Sequence, residues 1–362
     1  MQSKIKFIAD LDDKEQISEI FLVKMISMQM GKNGKNYLNL ILCDKSGEIE
    51  ARMWDKVEPV FEKIKKNSFI KAEGKINPYQ GRKQFVVFSC TAVDEANIDL
   101  GDFVAISSFN IDKMVEELRM MIATIKDTEI SALANAILED TRMLDGFKYA
   151  PAAKGVHHAY SGGLLEHVLS VGKLTEFFAN HYSWVNKDFA LFGAIFHDIG
   201  KVLEFEFGKA TDYSDEGRLV GHIVIGCEII SNYAKKIPGG ISDEKLWQIK
   251  HILLSHHGEL EFGSPKRPKT IEALLVSKAD DIDSKMNAIQ GFINKDESPN
   301  NWTQYHKMYD RFFYKGESQE IYSPKILNNS SDEIISENIV QEKSESPDVM
   351  SNLKKHFSNV GK

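Results

Sequence analysis

The sequence predicts a multi-domain protein: a five-stranded all-β barrel at the N-terminus, an all-α helical bundle after it, and a disordered C-terminal tail. Three observations carry this. Residues 17–93 alternate apolar and polar side chains in short runs separated by Gly- and Asn-containing turns, the period of half-buried strands. From Ile111 onward the apolar period lengthens to three and four residues, the repeat of amphipathic helices. After about residue 323 the chain is polar and rich in Ser, Asn and Glu, too poor in apolar side chains to offset the entropy cost of ordering.

The elements follow in order. ISEIFLVKMISMQM (17–30) is rich in β-formers and ends at the turn GKNGK; YLNLILCD, the KSG turn and EIEARMW then read as a hairpin. VEPVFEKIKK (57–66) reads as a short helix, SFIKAEGKI as a fourth strand, NPYQGR as a turn and KQFVVFSCTAV as a fifth strand. Five strands with one helix between the third and fourth is the layout of an OB-fold barrel, assigned to residues 15–100, with an SH3-like barrel as the competing layout. In the helical part, IDKMVEELRMMIATIKDTEISALANAILED opens with Asp112 as a candidate cap. Further helices are expected over 161–181, 187–199, 217–236, 242–256, 270–293 and 301–313, with Ser242 and Thr270 as helix starts. YAPAAKGVHHAYSGG and EFGKATDYSDEGR are the long loops of this bundle, which is assigned to 110–315, and the tail to 323–362.

The 362 residues, 42% hydrophobic and 27% charged, leave room for two soluble domains. A net charge of -8 argues against a protein that coats duplex nucleic acid but is compatible with a local basic groove. Cys43, Cys90 and Cys227 form no CxxC pair and read as reduced, buried thiols. No signal-peptide core is visible, and no run approaches the roughly 20 apolar residues of a membrane span. The expected location is the cytoplasm, with no membrane partner. The Met-rich helix VEELRMMIATI can pack within the chain or against a second copy, which leaves a homo-oligomer open.

The chemistry concentrates in the bundle. FGAIFHDIGK (192–201) ends an apolar run in His197 and Asp198, and burying such groups unpaired costs about 2 kcal/mol or more each. His167 lies in GGLLEHVLSV, His222 in RLVGHIVIG, His256 and His257 in ILLSHHGELEFGSP, and Asp280 and Asp281 in LLVSKADDID. Any one of these histidines alone is an ordinary core residue. Their order over successive helices gathers imidazoles and carboxylates, the ligands that divalent transition metals accept. A carboxylate has two oxygens, so Asp198 is the natural bridge between two ions. His167, His197 and Asp280 would complete one ion, and His222, His256 and His257 the other. Two such ions polarise a phosphate and acidify a bridging water. The mixed set suits Mn²⁺ first, with Fe²⁺ or Mg²⁺ as alternatives, and its lack of Cys argues against structural zinc.

This ordered pattern resembles the HD-domain metal-dependent phosphohydrolases. HHAYSGGLLEHVLSV, FHDIGKVLEF, GRLVGHIVIG and ILLSHHGELEFGSPKRPKTIEALLVSKADDID, behind an OB barrel, resemble the YhaM-type 3′→5′ exoribonucleases over roughly residues 15–315. The resemblance implies metal ligation by His167, His197, Asp198 and Asp280, with His222, His256 and His257 on a second metal and Asp281 as the alternative to Asp280. Asp198, Lys201 and His158 are the catalytic candidates. Lys201 would bind phosphate or stabilise the leaving oxygen, or else be a solvated lysine at a helix end. His158 with Gly162–Gly163 would admit the substrate backbone, the bland reading being a loop-to-helix turn. Glu166 reads as surface or as support for His167. The HHG stretch is not followed by the GYP of the cyclic-dinucleotide branch.

On the barrel, Lys32, Lys35, Tyr37, Arg52, Trp54, Tyr79 and Arg82 are candidates for a basic and aromatic groove, with Lys83 and Phe85 beside them. Lys32 and Lys35 lie in a turn, and Arg52 and Trp54 share a strand face. Trp54 and Phe85 also have a reading as core. The expected function is a metal-dependent 3′→5′ exonuclease releasing nucleoside 5′-monophosphates from single-stranded RNA, with single-stranded DNA as a second substrate. The alternatives are an HD-type phosphatase or phosphodiesterase acting on small nucleotides, and a non-catalytic RNA-binding protein with a structural metal.

Overall fold

The computed structural model describes residues 4–31, 34–79, 82–153, 160–206, 211–296 and 298–316. Two compact units divide the chain, Met1–Ser284 and Lys285–Lys362. The first opens with β1 (Gln16–Met30), β2 (Asn36–Asp44), β3 (Gly47–Met53), α1 (Val57–Lys63), β4 (Phe69–Tyr79) and β5 (Arg82–Val93). They close into a barrel in the order β1-β2-β3-β5-β4, with β4 pairing back onto β1. Alternation decides what fills it. Leu38, Leu40 and Leu42 of β2, Ala51 and Met53 of β3, and Phe85 and Val87 of β5 point inward to a common core with Phe21 and Ile70. Phe85 is fully buried there and is therefore core, not a platform for nucleic acid.

Two irregularities bend the strands enough to close the sheet, at Val23/Met25 in β1 and at Glu73/Gly74 in β4. The second needs glycine. A Cβ on Gly74 would lie 2.1 Å from the Val86 carbonyl oxygen and 2.8 Å from the Phe85 ring. The N-terminal segment is also fastened to the barrel. The Lys4 ammonium, buried over the Phe21 ring, donates to the Ile20 carbonyl at 2.7 Å and pairs with Asp44 at 3.2 Å.

The helical part contains α2 (Ile111–Ala123), α3 (Thr128–Glu139), α4 (Thr141–Tyr149), α5 (Gly163–His181), α6 (Lys187–Phe196) and α7 (Lys201–Glu204). A two-stranded hairpin, β6 (Phe205–Glu206) and β7 (Asp212–Tyr213), follows, then α8 (Asp215–Leu219), α9 (His222–Ala234), α10 (Asp243–Ser255) and α11 (Ile271–Lys295). Their apolar faces meet in one core that includes Leu133, Leu165, Val168, Phe192, Ile252 and Val276. The Met-rich helix spends its apolar face there: Met114, Leu118, Met121 and Ile122 of α2 are all buried within the chain.

Several expectations are corrected. Asn110, not Asp112, caps α2, its side chain accepting from the Lys113 N–H at 3.0 Å. The single helix expected over 217–236 is split into α8 and α9 by Gly221, whose φ of 80° leaves the helical region. α4 occupies a stretch given no element of its own. Residues 301–313 are not helical; Trp302 bridges Tyr314 and His306 bridges Arg311. The aromatic spacing explains this, because ring pairs Trp302–Tyr314 and Tyr305–Phe312 meet across the turn, each at 5.2 Å. The expected tail, 323–362, lies outside the described residues. No helix among the described residues is long and apolar enough to cross a membrane. The three cysteines are free, and burial pushes each thiol up, Cys43 to about 12 and Cys90 and Cys227 to about 11.

Gly74→Ala is expected to lower stability by about 1–3 kcal/mol, the cost of overpacking a closed barrel, as read by chemical denaturation.

Candidate metal centre and nucleic-acid interface

Five elements deliver polar side chains to one point in the bundle. His167 comes from α5; His197 and Asp198 from the turn after α6; His222 from the first residue of α9; His256 and His257 from the end of α10; Asp280 and Asp283 from α11. His167, His197, Asp198 and His256 are at most 2% exposed. The local sequence explains how they arrive. His197 and His256 each end a helix, and each turns its Nδ1–H back to the carbonyl three residues earlier, Ala194 at 2.9 Å and Leu253 at 2.7 Å. The turn holding Asp198 packs against the start of α9 through Gly200, where a Cβ would lie 1.9 Å from the His222 carbonyl oxygen. Any other residue there would drive His222 away.

The remaining imidazoles follow the same rule. His167 Nδ1 contacts Asp283 Oδ2 at 2.7 Å, His222 Nδ1 contacts Glu204 Oε1 at 3.0 Å, and His257 Nδ1 contacts the Phe262 carbonyl at 3.0 Å. With every Nδ1 anchored to an acceptor, each Nε2 faces the other way, the arrangement that fixes the tautomer of a metal-binding histidine. The inward atoms form two groups, His167 with His197 and Asp280, and His222 with His256 and His257, each group spanning no more than 4.8 Å. Asp198 stands between them. Its Oδ2 lies 3.4 Å from His197 Nε2 and 3.6 Å from His167 Nε2; its Oδ1 lies 3.5 Å from both His222 Nε2 and His256 Nε2.

These contacts fit metal ions. Asp198 Oδ1, His222 Nε2 and His256 Nε2 are buried and have no hydrogen-bond partner among the described residues, a costly condition that a cation relieves. In the other group the two Nε2 atoms of His167 and His197 face each other at 3.2 Å, which requires a proton or a cation between them. Charge is organised accordingly. Burial opposes ionisation of Asp198, but Lys201 and His197 hold its carboxyl well below the usual range. Burial disfavours the His167 cation, yet Asp280 and Asp283 push it up to about 9, so an ion bound by its Nε2 takes the place of a proton there. Burial keeps His256 and His257 below the ordinary imidazole value and so neutral, as ligands must be. Asp280 Oδ1 lies 3.3 Å from His167 Nε2, whereas Asp281 joins neither group.

Lys201 is 8% exposed and its ammonium meets Asp198 Oδ2 at 2.6 Å, so it is a buried partner and not a solvated helix-end lysine. His158 lies outside the described residues. Gly162, at φ 83°, serves the turn into α5, where a Cβ would strike Ile111 at 2.6 Å. Glu166 accepts from Ser107 Oγ at 2.7 Å, which ties the connector after the barrel to the helix bearing His167. Asp283 and Glu204 stand outside the sequence-predicted set. Asp283 follows Asp280 by one helical turn and is also held by Ser170; Glu204 follows Lys201 by the same interval. That spacing was the available signal.

On the barrel, Tyr37 and Trp54 stack at 4.6 Å with 26° between their planes, and Trp54 is 45% exposed, hence surface. The Arg52 guanidinium, bound to Glu50 at 2.9 Å, lies 5.8 Å from the Tyr37 ring and 5.6 Å from that of Tyr79. Lys35 and Arg82 are exposed; Lys83 is occupied by the Leu11 carbonyl at 2.7 Å, and Lys32 lies outside the described residues.

Removing the carboxylate that orients His167 should weaken the centre without touching its inward atoms. Asp283→Ala is expected to lower Mn²⁺ affinity by about 10–100-fold in calorimetric titration, while Asp281→Ala leaves it nearly unchanged.

Comparison with known proteins agrees with this division. Residues 164–285 match the HD domain model and residues 19–93 match the OB-fold nucleic acid binding domain model. The chain is 34% identical over 313 residues to the 3′-5′ exoribonuclease YhaM of Geobacillus sp. (strain WCH70), covering 86% of this chain and 95% of that one. It is 34% identical over 285 residues to the YhaM of Listeria monocytogenes serotype 4b (strain CLIP80459), covering 78% and 89%. Among solved structures, the second OB-fold domain of replication protein A from Methanococcus maripaludis matches 26% of this chain and 97% of its own at 15% identity, with a TM-score of 0.22. With one-third identity over nearly the full length of its relatives, the chain belongs to the YhaM family of 3′-5′ exoribonucleases.

Proposed function

We propose that this protein is a cytoplasmic, metal-dependent 3′→5′ exoribonuclease that shortens single-stranded RNA, and single-stranded DNA by the same geometry, to nucleoside 5′-monophosphates. One observation carries the reading: imidazole Nε2 atoms from four helices converge on opposite oxygens of the buried Asp198, and its Oδ1 with the Nε2 atoms of His222 and His256 has no hydrogen-bond partner among the described residues. Two divalent ions, Mn²⁺ before Fe²⁺ or Mg²⁺, are assigned to them. His167, His197 and Asp280 would hold one, His222, His256 and His257 the other, with Asp198 shared. Bound there, such ions polarise a phosphodiester and make water nucleophilic near neutral pH.

The chain's own residues do the rest. The anchored Nδ1 atoms keep the imidazoles from reorienting, so the site is preorganised. Lys201 offsets the Asp198 charge and is close enough to the reacting region to steady negative charge developing on a leaving oxygen. His158 is retained as a candidate contact to the terminal phosphate. The barrel holds the strand: Tyr37 and Trp54 offer a stacking surface, Tyr79 and Arg52 extend it, and Lys32, Lys35 and Arg82 supply cations for the backbone. A stacking-based grip with few cations suits an acidic chain that must let the strand move after each cut.

Incubating 5′-labelled single-stranded RNA with protein and Mn²⁺ tests the proposal. A ladder shortening from the 3′ end with release of mononucleotides is expected. Hydrolysis of small nucleotides with the strand left intact would replace the reading by a small-molecule phosphodiesterase, and strand binding without release by a non-catalytic protein. Asp198→Ala should cut turnover at least about 100-fold while leaving RNA affinity largely unchanged. Trp54→Ala should do the converse, costing about 1–3 kcal/mol of strand binding in fluorescence anisotropy.

A further inference from the structure

The outer face of the barrel carries two polar atoms that neither the metal centre nor the aromatic surface uses. Because Leu38 and Leu40 point into the core, Asn39 points out; because Phe85 and Val87 point in, Gln84 points out. Gln84 is nevertheless only 8% exposed. Its Nε2 and the Oδ1 of Asn39 are buried without a hydrogen-bond partner among the described residues. In the sheet register Asn39 faces Arg52, and Gln84 faces Glu50 on one side and Asn77 on the other. The two amides therefore flank the Glu50–Arg52 pair, on the face that bears Tyr37 and Tyr79.

We infer that Asn39 and Gln84 read the edges of nucleobases held on this face, giving the barrel a base preference that stacking alone would not. The inference rests on the strand-holding role proposed for the barrel. The chemistry selects the ligand. The unpaired atoms are one acceptor and one donor. A phosphate offers acceptors only and leaves Asn39 Oδ1 unsatisfied. Base edges present both donors and acceptors, so neighbouring bases on this face can answer each amide in turn. Stacking on Tyr37 and Trp54 tolerates any base, so discrimination has to come from such hydrogen bonds. An unsatisfied buried amide also destabilises the free protein, which marks it as kept for a ligand and not for the fold.

The test is equilibrium binding of the full chain, in EDTA so that no strand is cut, to labelled poly(A), poly(C) and poly(U) RNA and to their DNA counterparts. The wild type is expected to favour one base about tenfold in both sugars. Gln84→Leu and Asn39→Leu should bring the three to within about twofold by weakening the favoured one, with the melting temperature of Gln84→Leu equal to or above that of the wild type. Equal wild-type affinity for all three, or a preference that survives both substitutions, overturns the inference. So does a loss confined to RNA and equal across bases, which would assign the amides to the ribose 2′-hydroxyl. A melting temperature lowered by Gln84→Leu would show the amide to be structural and overturn it as well. Failure of the wild type to bind any single strand would instead remove the barrel's strand-holding role itself.

Discussion

A buried carboxylate with two faces is the constraint from which the bundle follows. Asp198 is 2% exposed, and a carboxylate so placed is tolerated only with charged or hydrogen-bonding partners on each oxygen. Lys201, His197 and His167 stand on the Oδ2 side, His222 and His256 on the Oδ1 side. These partners come from α5, the end of α6, α7, α9 and α10, so the helices must converge there. Gly200 and Gly221 are consequences: the first lets the Asp198 turn touch the start of α9, and the second ends α8 so that His222 opens a new helix.

Behind the inward atoms lies a second layer that makes their direction unambiguous. Three of the five imidazoles are held by backbone carbonyls and two by carboxylates, Asp283 and Glu204. Carbonyl anchoring comes without further charge, which matters where several acids are already buried. The carboxylate anchors fall on His167 and His222, the residues that do not end a helix and lack a free carbonyl behind the ring. Glu204 also accepts from the His222 backbone N–H, so one side chain both fixes the ring and ties down the start of α9.

The barrel is attached to this centre at defined points. Ser107 on the connector is bound to Glu166, one residue before His167, and to the Ser161 carbonyl at the entry to α5. Lys66, in the loop before β4, pairs with Asp212 of the hairpin that follows the Asp198 turn. These polar contacts join the barrel to elements adjoining the site.

The sequence by itself determined the class of each domain. Period two with one helical interruption dictates a closed five-stranded barrel, and period three-to-four dictates helices, because side-chain direction follows directly from backbone repeat. It also marked the histidines and acids as residues that an apolar helix would not bury idly. Tertiary structure alone decided which oxygen of Asp198 meets which imidazoles, that Asp280 and not Asp281 turns inward, that Asp283 and Glu204 stand behind the rings, and that Phe85 is core while Trp54 is surface. It also decided that 301–313 folds back on itself, because ring pairing across a turn outweighed a helical spacing. Each depends on the angle at which one element meets another. That angle is set by packing among residues far apart in the chain, about which a local repeat carries no information.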